Sequence, residues 1–122
     1  MINYDDRRFR GSESGPNGTV PTATYHQNGD LVWAESSGGR VRRCCLTGLC
    51  DATGRLTIGY TMLLDDGQIA VGRCTSTPER LEDGRIRLRE DWERYRPTPS
   101  SGVSYIEEVP VQNSRPAEQE VR

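Results

Sequence analysis

Lysine is absent, so all sixteen basic residues are arginine, and histidine occurs once, as His26. A single imidazole excludes a metal site built on several histidines, and it leaves His26 as the one imidazole any nucleophile could use. The arginine-only usage points to a GC-rich genome such as an actinobacterium's. No stretch of eighteen apolar residues occurs, and the first ten residues are polar and charged where a signal peptide needs an apolar run. The chain therefore reads as soluble and cytoplasmic. Hydrophobic residues make up only 33%, and sixteen basic against eighteen acidic residues give a net charge of -2. That balance offers no electrostatic lure for nucleic acid or for an anionic membrane.

The four cysteines, Cys44, Cys45, Cys50 and Cys74, contain no Cys-x-x-Cys pair. If residues 40 to 50 form one strand, Cys44 and Cys50 share a face but lie roughly 20 Å apart, at about 3.3 Å per residue. Cys45 then points to the other face, and one metal cannot reach all three. Reduced thiols are expected, with no metal and no cofactor.

What the chain does have is 13 glycines and 7 prolines spread along 122 residues, enough for one domain of short elements joined by turns. Turn signals recur evenly: "GPNG" at 15 to 18, "QNGD" at 27 to 30, "SGGR" at 37 to 40, "DATG" at 51 to 54, "DDGQ" at 65 to 68, "EDGR" at 82 to 85 and "PSSG" at 99 to 102. Asn-Gly and Asp-Gly supply the positive φ angles of tight hairpins. The segments between them are rich in Val, Ile, Thr, Tyr and Trp. They predict strands near 2 to 10, 19 to 27, 30 to 36, 40 to 50, 54 to 64, 67 to 76, 84 to 96 and 102 to 110. Only residues 76 to 83 could hold a helical turn. Eight antiparallel strands in up-and-down order, with no helix to cover them, are best protected by closing into an all-β barrel. The domain then spans 1 to 110, and 111 to 122, without periodicity, reads as a disordered tail.

Alternation proposes the lining. Leu56, Ile58, Tyr60, Met62 and Leu64 share an inward face. Ile86, Leu88, Glu90, Trp92 and Arg94 oppose Arg85, Arg87, Arg89, Asp91 and Glu93, and so charged an opposite face must meet solvent. The same reading sends Arg73 inward with Ile69, Val71 and Thr75, and Val103, Tyr105 and Glu107 inward on the last strand. On the third strand Leu31, Trp33 and Glu35 are assigned inward, although Val32 and Ala34 would also suit an interior.

The run "NGDLVWAESSGGRVRRCCLTGLCDATGRLTIGY", followed by "GRCTSTPERLEDGRIRLREDWERY" and "GVSYIEEV", resembles a family of small bacterial proteins with an avidin-like or calycin-like barrel, whose members are often labelled N-acetylglutamate synthase. The resemblance covers about residues 5 to 109. Its most specific parts are the Ala-Glu-x-x-Gly-Gly turn at 34 to 39, the Gly-Arg-x-Arg-Leu-x-Glu-x-Trp strand at 84 to 92 and the closing Glu-Glu. It implies the barrel fold, and barrels of this type often pair, which implies a homodimer. Acetyl transfer to glutamate uses a fold with a Gly-rich loop opening a helix, and this sequence has neither. It also departs from the family around 59 to 62, with Gly59, Thr61 and Met62 where an Arg precedes and a His follows the Tyr.

Within this frame Glu90 has two readings. Either it closes a buried ion pair with Arg73 or Arg94, or burial raises its pKa and it faces a ligand as a general acid or base, with Tyr60 or Tyr105 as partner. His26 reads as a solvated hairpin residue, and Arg40, Arg42 and Arg43 as a charged outer face or rim. Two functions follow. The first is a barrel that holds a partly apolar small molecule, with Trp33, Met62, Arg73, Trp92 and Glu107 in contact with it. The second is a cofactor-free cyclase or isomerase of secondary metabolism in which Glu90, Tyr60 and Tyr105 move a proton.

Overall fold

The computed structural model describes residues 2–11 and 20–110. The turn signal at 15 to 18 and the tail from 111 to 122 lie outside those residues. Eight strands follow one another, β1 (Arg8–Gly11), β2 (Thr22–Asn28), β3 (Leu31–Gly38), β4 (Val41–Cys50), β5 (Leu56–Leu64), β6 (Ile69–Arg80), β7 (Ile86–Arg96) and β8 (Ser100–Glu108). Each pairs antiparallel with the next, and β8 returns to β1, so the sheet is a closed up-and-down barrel without helices among the described residues. The hairpin glycines do what their turns require: Gly29, Gly67 and Gly84 adopt φ of 63°, 87° and 88°.

Three local expectations give way, the first being the turn at 99 to 102, since β8 already begins at Ser100 and the chain reverses at 97 to 99. Residues 76 to 83 form no helical turn, because β6 runs on to Arg80 and pairs with β7 as far as Arg80 opposite Ile86. A tight turn closed by Gly84 N–H donating to the Leu81 carbonyl at 3.0 Å then reverses the chain. The expected first strand at 2 to 10 shrinks to β1, because residues 2 to 7 turn under the barrel instead of pairing along it.

There they close one end. Tyr4 is fully buried, donates its hydroxyl to the Gly54 carbonyl at 2.5 Å, and packs its ring 6.3 Å from Phe9 and 6.1 Å from Tyr25. Phe9 and Tyr25 meet edge to face at 5.1 Å, a geometry aromatic quadrupoles favour. Gly54, at φ 88°, is needed because a Cβ there would lie 2.8 Å from Ile2. Beside this aromatic layer Arg7 reaches the buried Glu108 carboxylate at 2.8 Å, and Glu108 also accepts the Ile86 N–H at 3.1 Å. The core of the closed end is completed by Val32, Leu56, Ile86 and Leu88.

The opposite end is not packed in this way. The three register shifts between paired strands, at Ser36/Gly38, Val41/Arg43 and Val71/Gly72, all lie toward it. Bulges concentrate at barrel rims because they bend a strand and re-aim its side chains.

Candidate functional site

From the aromatic floor upward, the barrel encloses a cavity of about 590 Å³. β5 supplies Ile58, Tyr60 and Met62 to its wall, and β7 supplies Glu90, Trp92 and Arg94, as alternation on those strands predicts. Small residues stand between these large ones: Cys74 on β6, Ala23 on β2, Ser36 on β3 and Ser104 on β8. A small barrel needs this mixture, since large side chains from every strand would collide at the axis.

Two glycines seat the aromatic walls. A Cβ on Gly72 would lie 2.6 Å from the Tyr60 hydroxyl, and one on Gly102 would lie 2.7 Å from the Trp92 ring. Tyr60 therefore lies against β6 and donates to the Glu93 carbonyl at 3.4 Å, while Trp92 lies against β8. The Arg94 guanidinium stands 5.7 Å from the Trp92 ring centroid, and burial raises the Tyr60 phenol pKa although the Arg94 charge lowers it. The Arg94 Nε is buried with no hydrogen-bond partner among the described residues.

Glu90 sits deeper. Ser76 donates to its Oε2 at 3.5 Å, and the Ser76 hydroxyl is 3.6 Å from the Cys74 thiol. No arginine pairs with Glu90 among the described residues, since Arg73 faces away and Arg94 is turned to Trp92 and Tyr60. The side chain keeps some exposure only because it borders the cavity, and otherwise protein surrounds it. Desolvation accordingly raises its pKa from 4.5 to about 7, with the Ser76 hydrogen bond opposing the shift. Burial also pushes Cys74 up to about 12 and Cys44 upward, and it raises Tyr25 well above the usual phenol value, with Glu90 adding to the shift in each. Around Glu90 the thiols and the phenol thus stay protonated at neutral pH, leaving the carboxylate as the group that titrates there.

The faces of β3, β6 and β8 assigned to the interior are elsewhere: Leu31, Glu35, Ile69 and Val103 are exposed, and so four of the residues assigned to the site lie outside it. Trp33 is on the outer face, stacked on His26 at 5.5 Å, because Val32 and Ala34 take the inward positions opposite Gln27 and the bulky Tyr25. Arg73 is exposed in an outer groove with Asp91 and Glu93, because β6 turns Ala70, Gly72, Cys74 and Ser76 inward to clear Tyr60 and Trp92. Tyr105 borders the cavity along β8, but it is 40% exposed and its ring lies under the Arg87 guanidinium at 4.8 Å, on the outer side. Glu107 is likewise outside, 3.4 Å from Arg85, and Glu108 is the inward member of the closing pair. The reading also overlooked Tyr25, Cys74 and Ser76. For Ser76 and Cys74 the signal was available in the run Ala70, Gly72, Cys74, Ser76, whose small size marks the side of a barrel strand that faces large neighbours.

All four cysteines are free thiols, with Cys44 buried, Cys45 exposed on the other face, and Cys50 and Cys74 buried at separate levels. Outside the barrel, ligand atoms of Asp5, Asp6 and His26 lie within 4.8 Å of one another and could together reach a cation, although His26 is already 3.3 Å from Glu35. No helix among the described residues is long and apolar enough to cross a membrane.

An antiparallel barrel plugged at one end, with a cavity toward the other and few but definite polar groups in its wall, defines the class of small barrels built around an internal binding space. Within that class the chain belongs to a particular family. The avidin-like protein family matches residues 2–109, and so covers every strand. No curated protein and no solved structure matches the chain.

Proposed function

We propose that this protein binds a partly apolar small molecule inside the barrel, with the ring systems of Trp92 and Tyr60 against it and Glu90 making a polar contact from below. The observation that carries this reading is the cavity itself, about 590 Å³ where a structural barrel would be filled, bordered by a Glu90 that no arginine meets among the described residues. Membership of the avidin-like family agrees with small-molecule binding. The neutral fluorophore N-phenyl-1-naphthylamine tests it. Wild type should bind one equivalent and quench Trp92, seen as a signal that survives Trp33→Phe and disappears in Trp92→Phe. Ser104→Phe, which fills the cavity wall, should abolish binding while leaving the far-UV spectrum intact. Equal binding by Ser104→Phe, or none by wild type, would sink the proposal.

A second reading is favoured by one observation, the Glu90 pKa raised to about 7 beside open space. A carboxyl group poised there can both give and take a proton near neutrality, as a cofactor-free cyclase or isomerase needs. Under that reading Tyr25 replaces Tyr105 as the nearby phenol, since Tyr25 is the one that interacts with the Glu90 charge. Turnover of a bound substrate that vanishes in Glu90→Gln with affinity unchanged would establish it.

A further inference from the structure

The binding reading leaves Arg94 unexplained. Of the arginines, Arg7, Arg40, Arg85, Arg87 and Arg89 each have a carboxylate within 4.0 Å, all of them directed to the barrel's end or outside. Among the described residues Arg94 is the one arginine that lines the cavity, and no carboxylate there pairs with it. Its Nε–H is buried and unsatisfied, a condition rare in native proteins because the donor has given up water without compensation. A guanidinium that lies 5.7 Å from an indole centroid is steered by that ring, which orients its planar fork before any ligand arrives.

We infer that the ligand carries a planar oxyanion, a carboxylate in the first instance, and that Arg94 and Tyr60 receive it near the mouth while the apolar body lies on Trp92. The inference rests on the binding reading above and narrows its substrate class. A carboxylate meeting the part of the guanidinium that faces the cavity would form a charge-assisted contact stronger than a neutral hydrogen bond. Glu90, four residues back along β7 and on the same face, is about 13 Å away along the strand at about 3.3 Å per residue. Its distance from Arg94 keeps the two charges from neutralising each other, so a ligand long enough to reach both would present an anion at one end and a hydrogen-bond donor at the other.

The test uses two ligands of one shape, 2-naphthoate and the neutral 2-naphthamide, measured as displacement of N-phenyl-1-naphthylamine from the full chain. Naphthoate should bind at least about tenfold tighter, the range of a charge-assisted hydrogen bond. That preference should vanish in Arg94→Gln and persist in Arg96→Gln, whose side chain is exposed. Tyr60→Phe keeps the cation and should weaken naphthoate a few-fold with naphthamide unchanged, which serves if Arg94→Gln fails to fold. Equal affinities, a preference surviving in Arg94→Gln, or an equal loss of both ligands in Tyr60→Phe would overturn the anion assignment while leaving cavity binding in place. Failure of every ligand, the fluorophore included, would overturn both.

Discussion

Ser76 donates to the Glu90 carboxylate at 3.5 Å, and no cation accompanies it among the described residues. The pair is a long hydrogen bond in a desolvated setting, so it only partly offsets the burial that raises the Glu90 pKa to about 7. Below about pH 4.5 the carboxyl is protonated in both the folded and the unfolded chain and contributes nothing to the difference. As pH rises from there to 7, the unfolded chain ionises while the folded chain retains its proton, so stability falls across that window and levels off above it. The loss is about 1–3 kcal/mol, the lower values reflecting water in the cavity. Glu90→Gln should remove this decline, which urea denaturation at pH 4.5 and pH 8 would reveal. A wild-type stability that rises between those pH values by as much as in Glu90→Gln would contradict it.

Gly72 and Gly59 predict opposite outcomes for the same substitution. A Cβ at Gly72 would lie 2.1 Å from the Glu93 carbonyl oxygen as well as 2.6 Å from the Tyr60 hydroxyl, whereas one at Gly59 meets nothing within 4 Å. Gly72→Ala should destabilise by at least about 2 kcal/mol, and Tyr60→Phe should not rescue it, because the clash with backbone remains. Gly59→Ala should be neutral or stabilising by up to about 1 kcal/mol through reduced freedom of the unfolded chain. Thermal midpoints of the two variants and the double variant decide the matter.

Tyr4→Phe removes one oxygen and leaves the Gly54 carbonyl without the donor it has at 2.5 Å. Because that bond is buried, the loss should be about 1–3 kcal/mol. Tyr4→Ala, which empties a fully buried position, should lose about 3–5 kcal/mol. Chemical denaturation that ranks the two variants in the reverse order would show that the segment under the barrel is not packed there.

Arg7 and Glu108 should prove strongly coupled. The Glu108 side chain is 8% exposed, and Arg7 bonds it at 2.8 Å. Arg7→Met strands a buried carboxylate and should destabilise by a few kcal/mol, while Arg7→Met with Glu108→Met should recover much of the loss, since two apolar groups strand nothing. A double-mutant cycle measures the coupling, and simple additivity would refute it.

Strand number and order were legible because each hairpin carries its own turn chemistry, Asn28-Gly29 and Asp66-Gly67 being the plainest. The placement of Glu90 and Trp92 was legible too, since Arg87, Arg89, Asp91 and Glu93 leave no doubt which side of β7 is wet. The faces of β3, β6 and β8 were not, for a physical reason. Each offers apolar groups on both sides, Trp33 against Val32, Val71 against Ala70, Val103 against Ile106, so hydrophobicity cannot choose between them. Size decides instead: Tyr60 admits only Gly72 across from it, and small Ala34 stands across from Tyr25. Such complementarity belongs to pairs of strands and leaves no mark on either one alone. That Arg94 meets no carboxylate among the described residues is equally invisible in sequence, since it depends on where every carboxylate ends up.

The seam that joins Phe9 to Glu108 and Arg10 to Glu107 ties the first strand to the last. During synthesis β1 emerges at the beginning and β8 at the end, so the ring cannot shut until nearly all of its strands are off the ribosome. Until then β1 and the newest strand are open edges, the condition most prone to pairing with a neighbouring chain. A nascent chain that stops before Ser100 holds both edges and lacks Glu108, leaving Arg7 without its carboxylate. Closure thus comes last, and weakening β8 should show itself as aggregation during expression before it shows as altered binding.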